Sequence, residues 1–228
     1  MERLDHPAKL TYFTMVIDFL TVRRLLLLSI LYVTCSVAQA QDFYIVFLNK
    51  REDKAELPEE EVKKLMDGHM ANINRLAKEG KLWAAGPFDG GGGLFIFKTS
   101  SLQDVKDWVL TDPAVRAERW RVEMFPYFPR TGSVCRVGDD YVMTNYHFIR
   151  YSGPSASTGM HLNYLASSAG GPALIAEASL GEENGSVLVL SAEPTAGWVN
   201  EDPAVKTGHW IPAPKKLYIA RGSFCEAR

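Results

Sequence analysis

His69 sits on the apolar face of a predicted helix, where Val62, Leu65, Met66, His69, Ile73, Leu76 and Ala77 recur at three- and four-residue steps. An imidazole in such a place is poorly solvated unless another group hydrogen-bonds it. Asp112, at the predicted end of a second helix and just before Pro113, offers a carboxylate that would fix the imidazole tautomer and raise its basicity. Those are the requirements of a general base working near neutral pH. The same two residues also suit a plainer role, a satisfied core histidine and an Asp-Pro helix stop. His161 and Asp202-Pro203 repeat both residue types downstream, which fits a second site or a shared structural duty.

Gly86-Pro87-Phe88-Asp89 must turn the chain after a strand, and a turn there would leave room for a ligand beside His69. Trp83, Phe88 and Trp120 could wall an aromatic pocket or simply pack in the core, and Asp89 is either a second acid or a turn residue. The glycines 90–93 lead into a strand and lack both GxGxxG and GxxxxGK, so no helix N-terminus follows them to take a phosphate. No CxxC or HxxxH spacing offers a metal site.

The elements that must position these residues are legible in order. Phe43 to Leu48 is a buried strand, and a helix runs from Pro58, with Glu59, Glu60 and Glu61 suiting its positive N-terminus, to a left-handed stop at Gly80. Leu82 to Ala85 and Leu94 to Lys98 are strands. Ser101 opens a second helix ended by Asp112-Pro113, and Trp120 to Phe125 is a fourth strand. The order βαββαβ predicts a ferredoxin-like α+β unit with both helices on one face of an antiparallel sheet.

The pattern then recurs. Trp108 to Val115 reads WVLTDPAV and Trp198 to Val205 reads WVNEDPAV, while Leu82-Trp83-Ala84 lies over Leu174-Ile175-Ala176 at the offset that carries His69 onto His161. Two ferredoxin-like units, 42–130 and 135–228, would pack sheet to sheet as an intrachain pseudo-dimer of the dimeric α/β-barrel type. In this topology the first and last strands of a unit are neighbours. Cys135 precedes the second unit's first strand (Val142 to Tyr151) and Cys225 follows its last (Leu217 to Ala220), so a Cys135–Cys225 disulfide is expected, with two free thiols as the alternative.

Composition narrows the class. The 228 residues are 46% hydrophobic, with 25 Lys+Arg against 27 Asp+Glu, which excludes disordered and fibrous chains and leaves no basic footprint for nucleic acid. Arg23-Arg24, the run Leu25 to Val33 and Ala38-Gln39-Ala40 describe a signal peptide over 1–40, with Met1 or Met15 as its start. A periplasmic or secreted protein without a stable membrane anchor is expected.

His69, the run LAKEG-KLWAAGPF-D after it, Gly90 to Gly93, the apolar strand and WVLTDPAV together resemble the YCII-related family of small dimeric α+β barrels. The resemblance covers about 42–126. The second unit keeps His161, Trp198 and Asp202-Pro203 but has Ala178-Ser179-Leu180 where the first has Gly86-Pro87-Phe88. The resemblance implies a His–Asp pair as catalytic centre, His69 with Asp112 and by extension His161 with Asp202. It also implies chemistry of the lyase or isomerase kind, since one relative is a dehydrochlorinase of a chlorinated hydroxyquinone and similar folds include muconolactone isomerase. An unidentified small molecule is the expected partner, with no metal or cofactor. The alternative is a non-catalytic module that binds a small ligand or serves assembly.

Overall fold

The structure, a computed structural model, describes residues 42–168 and 171–225; the expected signal peptide over 1–40 lies outside the described residues. Strand β1 (Phe43–Lys50) is buried through Leu48, as its unbroken apolar run requires of a central strand. Helix α1 (Glu59–Lys78) begins one residue after Pro58 and ends in a Schellman turn. There Lys81 N donates to Leu76 O and Gly80 N to Ala77 O, both at 3.0 Å, with Gly80 at φ 74°. Strands β2 (Leu82–Pro87) and β3 (Gly93–Lys98) follow, then α2 (Leu102–Val109), whose first turn is capped by the Ser101 hydroxyl accepting from Asp104 N at 3.2 Å.

Asp112 does not simply end a helix. Its side chain caps a further short one, α3 (Pro113–Arg116), with Pro113 at the first position where a missing N–H costs nothing. Strand β4 (Trp120–Thr131) runs six residues past the expected Phe125. After β5 (Ser133–Val134), the same order recurs in β6 (Met143–Ser152), α4 (Thr158–Ser167), β7 (Leu174–Ser179), β8 (Ser186–Leu190), α5 (Ala196–Glu201), α6 (Pro203–Lys206) and β9 (Ile211–Ala220).

All strand pairings are antiparallel, in the order β2-β3-β1-β4 within the first half and β7-β8-β6-β9 within the second. Both halves are thus ferredoxin-like units. Their sheets meet edge to edge. Phe128↔Ser179, Pro129↔Ala178 and Thr131↔Glu177 join β4 to β7. At the other seam a bridge, Phe88↔Leu217, and the bond from Asp89 N to Lys216 O at 2.9 Å join β2 to β9. The eight strands therefore close into a barrel, by a ladder at the β4–β7 seam and by this short contact at the β2–β9 seam.

This closure explains where the core lies. Inward-facing Ile45, Phe47 and Ile96 pack with Phe148, Val189 and Leu217 into one cluster drawn from both halves. Outward-facing Val46 and Phe97 pack beneath Leu76 of α1 and Val105 of α2. Ile149 and Leu188 do the same beneath Val199 and Ala204. At the β2–β9 seam a Cβ on Gly86 would lie 2.4 Å from the Tyr218 carbonyl oxygen, so the close approach of the two backbones requires glycine.

The β4–β7 seam carries a buried ion pair. Arg130 Nε donates to Glu177 Oε2 at 2.8 Å and its Nη2 to Oε1, while the Ser186 hydroxyl also donates to Oε1. Glu177 and Ser186 are fully buried. Beyond the barrel, β5 pairs with β10 (Phe224–Cys225), and the expected Cys135–Cys225 bond is present with Cα atoms 6.0 Å apart. Joining residues 90 positions apart is worth about 4–5 kcal/mol on the chain-entropy account.

Candidate active site

His69 projects from α1 toward the start of α3, and its Nδ1 lies 2.6 Å from Asp112 Oδ2. The carboxylate is held from the other side by the backbone. Asp112 Oδ1 accepts from Ala114 N at 2.9 Å and Val115 N at 3.2 Å, the free N–H groups of the α3 N-terminus. One oxygen thus anchors the helix while the other orients the imidazole.

Burial pushes the Asp112 carboxyl up. The hydrogen bond and charge of His69, with the N–H groups of Val115 and Ala114, outweigh it and hold the carboxyl below the ordinary Asp range. Facing an ionised acceptor, Nδ1 is the nitrogen that donates, so in the neutral form of the ring the lone pair falls on Nε2.

The imidazole is clamped between aromatic faces. The Trp120 ring centroid is 4.7 Å away and that of Phe95 is 5.8 Å away in a stacked arrangement. Trp120 therefore belongs to this pair. Asn72, one turn along α1, reaches Asp112 Oδ2 at 3.5 Å, and its own Oδ1 accepts from Arg75 at 2.7 Å and Thr111 at 2.9 Å. Sequence reasoning passed over Asn72, although its position three residues after His69 places it on the same helix face.

Gly68 was also passed over. A Cβ there would lie 2.7 Å from Pro113 Cγ, so its lack of a side chain lets α1 come close enough to α3 for His69 to reach Asp112.

The second half repeats the pair. His161 Nδ1 lies 2.5 Å from Asp202 Oδ2, Asp202 Oδ1 accepts from Ala204 N at 3.0 Å, and Trp210 stands 4.8 Å from the imidazole in the role of Trp120. Access is what differs. His69 retains 7% exposure, whereas His161 retains none and its Nε2 is enclosed without a partner. Tyr151 stands 5.0 Å from His161, where Phe95 stands 5.8 Å from His69. The His69 Nε2 makes no hydrogen bond with a described residue and, unlike that of His161, is not among the enclosed polar atoms.

The structure separates the expected ligand pocket from this pair. Pro87, Phe88 and Asp89 line a groove with Asn145, Lys216 and Tyr218, and His69 is not part of it. Gly86 faces Tyr218 and Ile219 of β9, where the seam needs it. Trp83 lies at the opposite end of β2, edge-on to Phe43 at 5.3 Å, with its indole N–H donating to Gly80 O at 3.1 Å. Among the described residues no group of three or more His, Cys, Asp or Glu could hold a metal ion.

Residues 43–126 match the YCII-related domain. Two solved structures are similar over most of the chain, those of proposed monooxygenases from Lactobacillus acidophilus NCFM and Fusobacterium nucleatum subsp. nucleatum ATCC 25586. They are 11% and 9% identical, each with a TM-score of 0.42, and the match covers 82% of this chain and 99% and 96% of theirs. No curated protein matches the chain.

Proposed function

We propose that the chain, whose residues 43–126 match the YCII-related domain, is a small-molecule enzyme of lyase or isomerase type in which His69, oriented by Asp112, is the general acid/base. The observation that carries this reading is the asymmetry of the His69 imidazole. Its Nδ1 is committed to Asp112 at 2.6 Å, while Nε2 has no partner among the described residues and is not enclosed. In that tautomer Nε2 takes a proton from an activated carbon of the substrate. The adjacent carboxylate stabilises the imidazolium that forms, and Nε2 returns the proton to a leaving group or a neighbouring carbon. The sealed His161–Asp202 pair serves the fold of the second half instead.

Export of the mature chain and descent of its halves from one doubled unit belong to the same proposal. The Cys135–Cys225 disulfide and the repeated strand order support them.

Screening the mature protein against small activated carbonyl and quinone-like compounds, beside His69→Ala and His161→Ala, tests the assignment. Loss of about 10²–10⁴-fold in turnover is expected for His69→Ala alone. Equal turnover by wild type and His69→Ala would remove His69 from the mechanism.

A further inference from the structure

The groove at the β2–β9 seam has a volume of about 350 Å³ and is built by both halves, Pro87, Phe88 and Asp89 from the first and Asn145, Lys216 and Tyr218 from the second. Its backbone is set before any ligand arrives. Pro87 has no N–H to give, so pairing with β9 starts at Phe88, and the bond from Asp89 N to Lys216 O pins the two charged residues on either side of the seam. Phe88 N donates to Gly92 O and Gly91 N to Phe88 O, both at 3.1 Å, which fixes the turn that presents Asp89.

The side chains lining the groove are of both charges and are uncommitted. Asp89 makes no ion pair or side-chain hydrogen bond with a described residue, and neither do the Tyr218 hydroxyl and the Asn145 amide. Lys216 has a single ionic contact among the described residues, Glu193 at 3.9 Å, with both groups at least half exposed. Such a contact is easily given up. Pro87, exposed beside Asp89, supplies the apolar wall, while the Phe88 ring turns into the barrel core against Phe47 and Phe148.

A free anion would meet the Asp89 carboxylate here, and a free cation would meet Lys216. A molecule carrying both charges satisfies both sides. We propose that this groove binds a small zwitterion of the amino-acid type, its ammonium group paired with Asp89, its carboxylate with Lys216, and its side chain laid against Pro87. Tyr218 and Asn145 complete the polar contacts. The site is independent of the His69 chemistry, because the two share no residue.

Amide chemical-shift titration of the mature protein with L-leucine, and separately with acetate and with methylammonium, tests it. L-leucine is expected to shift the Phe88, Asp89 and Lys216 amides saturably, with each single-charge probe weaker by about tenfold or more, the worth of one charge-assisted bond. Asp89→Asn and Lys216→Gln should each weaken L-leucine by a similar factor. Both positions are exposed, and retained amide dispersion verifies that the variants fold. Absence of a saturable shift, equal binding of acetate or methylammonium, or L-leucine binding that survives both substitutions would overturn the proposal.

Discussion

The Asp112 carboxylate is shared between two neighbours, with Oδ2 2.6 Å from His69 Nδ1 and Oδ1 2.9 Å from the N–H of Ala114. The acid that aims the imidazole is therefore also the cap of α3, and the two duties can be separated by substitution.

Asp112→Asn keeps a good capping side chain but removes the charge. It should cost about 2 kcal/mol at neutral pH, the range for a hydrogen bond to a charged group. Because the folded carboxyl titrates below its unfolded value, this stability is present above the unfolded pKa, about 3.9, and is lost as pH falls through the lower folded value. Denaturant unfolding of wild type and Asp112→Asn should differ most at neutral pH and converge in acid. Asp112→Ala, which loses the cap as well, should cost about 1 kcal/mol more.

Gly68 and Gly159 make a matched pair of glycine-to-alanine tests. At Gly68 the new methyl group meets Pro113 Cγ at 2.7 Å, and α1 must move away from α3. Gly68→Ala should destabilise the protein by about 1–3 kcal/mol, as overpacking does, and weaken the proton-transfer step by loosening the His69–Asp112 contact. Gly159, in α4, has open space around its Cβ position. There alanine should be neutral or stabilising by up to about 1 kcal/mol. Thermal unfolding of the two variants reads the difference.

Arg130 and Glu177 test the seam. Arg130→Ala strands a fully buried carboxylate and should cost about 3–5 kcal/mol. Replacing both members, Arg130→Met with Glu177→Leu, removes the stranded charge and should recover most of that loss. A double-mutant cycle by chemical denaturation measures it, and a double variant no better than Arg130→Ala would contradict the assignment.

The sequence carried the local devices well and the long-range ones poorly. The Gly80 turn, the Ser101 cap and the helix face bearing His69 rest on near neighbours, so their spacing exposes them. Prolines hid the strand ends. Pro126 and Pro129 lie in β4, and Pro212 and Pro214 in β9, where a proline ordinarily argues against a strand. The expected face-to-face cover of two sheets is accordingly achieved through paired edges.

Asp112 read as a helix stop because an Asp before Pro ends one helix and caps the next with the same two letters. Arg130 with Glu177 had no signal at all, since no periodicity links residues across a barrel seam. The difference between the two histidines was equally hidden. It depends on which ring arrives from the sheet, Phe95 at 5.8 Å from His69 and Tyr151 at 5.0 Å from His161.

Carbethoxylation of the native mature protein by diethyl pyrocarbonate, mapped by mass spectrometry, measures that difference most directly, because the reagent acylates imidazole nitrogens it can reach. His69 should be modified while His161 stays intact until the protein unfolds. Modification of both at similar rates, or protection of His69 equal to that of His161, would contradict the account.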